Sequence, residues 1–60
     1  MTKNDLIELI MEARYGKENI KNATEYQKVL FDMERAEFSK SNKLQLAVYL
    51  SVNHNIQVEM

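Results

Sequence analysis

Sixty residues with eight basic and nine acidic side chains carry a net charge of −1, with no cysteine, no proline, one glycine and one histidine. That length bounds the chain, residues 1–60, to one small domain, and the missing thiols exclude disulfides and thiolate-held zinc. The near-neutral charge supplies no field that would select nucleic acid or an acidic membrane.

A domain of about this size buries only roughly 60% of its unfolded surface and is marginally stable alone. With disulfides and structural metal excluded, self-association is the remaining compensation, so a homodimer is an expectation. The opening Met1-Thr2-Lys3-Asn4-Asp5 carries no basic segment leading into an apolar core, and no signal peptide is expected. The longest apolar run, Leu44 to Val52, is interrupted by Gln45 and Ser51 and falls short of the ~20 residues of a membrane span. A cytoplasmic protein without a membrane segment is the simplest expectation.

The first element is well signalled. Thr2 is placed to cap a helix, with Asp5 three residues on completing an acidic capping box. Leu6, Ile7, Leu9, Ile10, Met11 and Ala13 follow at three- and four-residue intervals, a wide apolar stripe. Arg14 suits the negative end of the helix and Gly16 the position just past it. The spacing predicts a helix over 3–15. Residues 16–23 read either as a loop or as an early helical turn carrying Ile20 inward.

Thr24 with Gln27, or Asn22 with Glu25, offers the next cap, and the second long helix is expected to run to Phe38. Its core face is read as Tyr26, Val29, Leu30, Met33 and Ala36. Glu25–Lys28 and Asp32–Arg35 stand at i,i+3 spacing on the other side. Phe31 and Phe38, seven apart, lie beside the main stripe, where they either widen the core face or form a contact surface; the second is preferred, with both as exposed members.

Ser39 to Asn42 reads as a short turn. Beyond it, Leu44, Leu46, Val48, Leu50 and Val52 alternate with the period of a strand, as do Ile56, Val58 and Met60. The same residues also make a helix ending near 53–55. The helix is preferred because a lone hairpin has no sheet to join. The expected fold class is all-α: a small three-helix bundle whose C-terminal segment is an extended tail, with a β-hairpin as the alternative.

Chemistry-bearing groups are sparse. Asp5, Glu8 and Glu12 line one side of the first helix, where a solvated face is the plain reading. A di-metal carboxylate site would need a Glu-x-x-His pair, which the sequence lacks. His54 stands between two asparagines and reads as a turn or helix-end residue rather than a general base. One glycine cannot build a phosphate loop. No enzymatic activity, cofactor or metal is expected.

What remains is apolar and aromatic surface in excess of what three short helices cover. The leading expectation is a non-enzymatic regulator, an adaptor or inhibitor that docks a helix face on a protein target. Phe31, Phe38 and Tyr49 would make the apolar contacts, with Glu8, Glu12, Glu34 and Arg35 as a charged rim. In size and composition only, the chain resembles small bacterial or bacteriophage regulators. Two rivals are a helix-turn-helix-like nucleic-acid-binding module turning at Ser39–Asn42, with Lys40 and Lys43 on phosphates, and a structural oligomer component.

Overall fold

In the computed structural model, which describes residues 1–59, the chain forms four helices: α1 (Lys3–Tyr15), α2 (Lys17–Lys21), α3 (Glu25–Phe38) and α4 (Lys43–His54). No strand occurs among the described residues. The all-α expectation agrees with this. The three expected helices are joined by a fourth, short one, where the sequence left a loop or an early turn.

The three long helices all start with the same device. The Thr2 hydroxyl accepts from the Asp5 N–H at 3.1 Å while the Asp5 carboxylate accepts from the Thr2 N–H at 2.9 Å. Thr24 and Gln27 repeat this at 3.2 and 2.9 Å, and Asn42 and Gln45 at 2.8 Å in both directions. Each box satisfies N–H groups that the first helical turn leaves without partners. The Thr2 backbone and hydroxyl also hold the Asp5 carboxyl below its ordinary value.

Gly16 ends α1 and begins α2. Its φ of +89° lies where a side chain is rarely tolerated, and its ψ of 144° turns the chain directly into the next helix. The Gly16 N–H donates to Glu12 O at 2.8 Å, and its own carbonyl accepts from the Ile20 N–H at 3.1 Å. The Asn19 side chain donates to Tyr15 O at 2.6 Å, closing another open carbonyl of α1. The result brings Ile20 and Ala23 against the core.

α1 is the hub. It supplies Leu6, Ile7, Ile10 and Met11 to the core, α4 supplies Leu46, Ala47 and Leu50, and α3 supplies Phe31 alone. The other three helices each pack on α1 more than on one another. The alternating period of 44–52 is thus resolved as a helix. Its inward residues follow i, i+1, i+4 spacing, and an isolated pair of strands would have lacked a sheet to complete it. Asn55 closes α4 in the left-handed conformation (φ 55°, ψ 37°), and the Ile56 N–H reaches back to Leu50 O at 3.1 Å. Residues 55–59 form no helix or strand, yet Ile56 and Val58 pack against the core while Gln57 and Glu59 face solvent. Met60, assigned to the tail from its sequence, lies outside the described residues.

Gly16→Ala isolates the cost of that junction. A Cβ at this position meets nothing closer than the Asn19 amide nitrogen at 3.7 Å, so the penalty comes from the backbone and not from a clash. Urea denaturation should show a loss of about 1–3 kcal/mol with helix content retained below the transition. An unchanged midpoint would show that the chain does not pass through this conformation.

Candidate functional site

α3 carries two apolar faces, and the structure turns the narrower one inward. Phe31 is 8% exposed and packs on Tyr15 with ring centroids 4.7 Å apart. Phe38 is half-buried and meets Tyr49 edge-on at 5.3 Å, so it joins the end of α3 to α4. Both contacts have the tilted or T-shaped geometry that aromatic rings favour. The expectation that Phe31 and Phe38 are exposed members is therefore corrected. So is the core face read for this helix: Tyr26, Val29, Leu30, Met33 and Ala36 all lie on the solvent side.

Charged side chains accompany this orientation. With Phe31 inward, Arg35 reaches Glu8 of α1 through Nε at 2.7 Å and Nη2 at 3.4 Å, and also Asp32 at 3.0 Å. Glu34 accepts from Arg14 Nη1 at 2.8 Å and from the Tyr15 hydroxyl. Turning Tyr26 and Met33 inward would break these links across the α1–α3 seam. Each of these partly exposed pairs is worth only up to about 1 kcal/mol. The Ser39 carbonyl accepts from the Lys3 ammonium and adds a further strap between the two helices.

The rim expected from the sequence thus has a different neighbourhood. Glu8, Glu34 and Arg35 come together, but as ties between α1 and α3. Glu12 is half-buried on α1 and its carbonyl caps Gly16. Tyr49 lies between Phe38 and His54, with the imidazole centroid 5.6 Å away. The His54 Nε2 is buried without a hydrogen-bond partner. Among the described residues no three His, Cys, Asp or Glu side chains group as metal ligands.

The outward face of α3 carries four large apolar side chains that the interior does not use. Tyr26 is 73% exposed and Met33 62%, with Val29 and Leu30 between them at i, i+3, i+4 and i+7 spacing. Two shallow depressions meet at Leu30 and Tyr15. One, of about 400 Å³, is bordered by the amides of Asn19, Asn22 and Gln27. The other, of about 340 Å³, is mostly apolar and is lined by Leu30, Met33, Glu34 and Glu37. An apolar ridge between an amide-lined hollow and one lined in part by acids suits side chains that are apolar at the tip and carry N–H donors beside it. The signal for this face was present in the sequence as the 26–29–30–33 stripe, but spacing alone assigned it to the core.

No known protein family, curated protein or solved structure matches the chain.

Tyr15 gives the α1–α3 seam a pH signature. Its hydrogen bond to Glu34, with partial burial adding to it, raises the phenol above its ordinary value of 10.0. A tyrosine that keeps its proton longer in the fold than in the unfolded chain contributes stability that is complete below the unfolded value. That contribution is lost as pH rises through the folded value. Urea midpoints measured from about pH 8 to about pH 11.5 should therefore fall more steeply for the wild type than for Tyr15→Phe. At neutral pH the variant should already be weaker by roughly 1 kcal/mol. Parallel curves would mean that the phenol and Glu34 do not meet.

Proposed function

We propose that this protein is a non-enzymatic protein-binding regulator that docks the Tyr26–Val29–Leu30–Met33 face of α3 on a protein target. The observation that carries this reading is the outward stripe itself. Four large apolar side chains stand side by side on one helix, where lone exposed apolar residues would need no explanation. Tyr and Met are residue types suited to contact surfaces, Tyr for its amphipathic ring and Met for its adaptability. Adaptor or inhibitor action in the cytoplasm of a bacterium or in a phage-infected cell is part of the same proposal. The nucleic-acid reading draws little support, because the outward side of α4 presents Leu44, Val48 and Val52 where base-reading polar groups would be needed.

The test is capture from native host lysate with wild type, with Leu30→Asp/Met33→Asp, and with the control Leu44→Asp/Val52→Asp. All three should keep their helical circular dichroism, since every substituted side chain is exposed. A stoichiometric protein partner should bind wild type and the control, and bind the α3 variant at least about tenfold more weakly, a loss of ~1.4 kcal/mol. Equal binding by the α3 variant, or no protein partner at all, contradicts the proposal.

A further inference from the structure

The hollow bordered by Asn19, Asn22 and Gln27 differs in chemistry from the apolar stripe beside it. Its volume of about 400 Å³ is lined by these three carboxamides and by Tyr15, Leu30 and Phe31, and none of the six carries a charge. The carboxamides come from three successive pieces of chain: α2, the residue that ends it, and the first turn of α3. We propose that this hollow binds a neutral purine ring of the adenine type, free or as its nucleoside.

Two of the amides are already anchored to the backbone, each by one end. Asn19 Nδ2 donates to Tyr15 O at 2.6 Å, which leaves its Oδ1 as an acceptor. Gln27 Oε1 accepts from the Thr24 N–H at 2.9 Å, which leaves its Nε2 as a donor. A carbonyl only accepts and an N–H only donates, so these contacts fix which end of each amide is which. The Asn22 side chain forms no hydrogen bond with the described residues and offers one end of each kind. The hollow thus presents two acceptors and two donors, and the anchored pair loses little freedom when a ligand arrives.

Adenine is the complement of that set. Its 6-amino group carries two N–H donors, one for each amide oxygen, and the ring nitrogens on either side of it accept. A carboxamide pairs with an adenine edge through both of its ends. The faces of the base are apolar and stack on aromatic rings. Tyr15 and Phe31, with centroids 4.7 Å apart and planes tilted by 41°, wall the hollow together with Leu30.

Charge and size narrow the ligand further. With no cation lining the hollow, a phosphate finds no partner there, and an ionised ligand would give up hydration without return. The volume lies near the lower end of the about 300–1,000 Å³ of small-molecule sites, which suits a nucleoside. Because the hollow is shallow, binding is weak, with a dissociation constant for adenosine of about 0.1–1 mM.

Adenosine titrated to about 5 mM into nitrogen-15-labelled protein reads the site by NMR. The side-chain amide signals of Asn19, Asn22 and Gln27 should shift together, while those of Asn4 and Gln57, outside the hollow, stay in place. Purine riboside, which lacks the 6-amino group, should bind at least about fivefold more weakly. Adenosine monophosphate should bind no tighter than adenosine. Asn22→Ala should bind adenosine at least about fivefold more weakly, with unchanged helical circular dichroism and urea midpoint, since the side chain it removes is exposed and unbonded. Absence of saturable shifts overturns the proposal, as does equal binding of purine riboside, equal binding by Asn22→Ala, or tighter binding of the monophosphate. These titrations contain no protein partner, so their outcome and that of the lysate capture are independent.

Discussion

Leu6, Ile10 and Met11 have no exposed surface, and the other helices are arranged around the stripe they form on α1. α4 lies on this stripe with Leu46 and Leu50, also fully enclosed, and the two helices share most of the buried apolar surface. α2 exists because Gly16 lets the chain reverse tightly enough to bring Ile20 back to α1. Burial of one side chain of this size is worth roughly 1.5–3 kcal/mol. A 60-residue domain has a total stability of only a few kcal/mol, so the α1 stripe is the one feature the fold cannot lose.

α3 stands in a different position. It is the longest helix, yet only Phe31 is buried, and the remainder of its attachment is Phe38, Tyr15 and the partly exposed ionic links of Arg35 to Glu8 and Glu34 to Arg14. Such links orient more than they stabilise. The helix is therefore fixed in rotation but lightly held, and its larger apolar face is left outward. Structure and proposed function meet at this point, because an element that docks on a partner can gain from binding the burial it lacks in the free protein.

Much of the fold was legible in the sequence, for local reasons. The capping pairs Thr2/Asp5 and Thr24/Gln27 are close in sequence and need no tertiary knowledge, so the starts of α1 and α3 could be read directly, whereas before α4 only a turn at Ser39–Asn42 was read and its Asn42/Gln45 box was not. The end of α1 at Tyr15 followed from the glycine after it. The alternation from Leu44 to Val52 was ambiguous, because Leu and Val at every second position satisfy a strand and also place residues on both sides of a helix. The choice rested on the missing partner sheet.

The rotation of α3 was not legible. The 26–29–30–33 stripe outweighs Phe31 and Phe38 in number, and periodicity ranks it first. The orientation that forms carries contacts between residues far apart in the sequence, Phe31 with Tyr15, Glu8 with Arg35, and Arg14 and Tyr15 with Glu34. The acidic stripe on α1 was noticed, but its complement on α3 becomes visible only once the helices lie side by side. The 26–29–30–33 stripe was accordingly read as core and Phe31 as surface, the reverse of their burial.

The central claim is that α1 and α4 form the stable body while α3 is lightly attached with its apolar face outward. Native-state amide hydrogen exchange, read residue by residue, tests it most directly. The amides of Ile10, Met11 and Leu50 should open only with global unfolding. Those of Val29, Leu30 and Met33 should exchange at least about tenfold faster through a partial opening that releases α3. Equal protection of Leu30 and Ile10 in the free protein would contradict the account, since it would mean that α3 is released only by global unfolding.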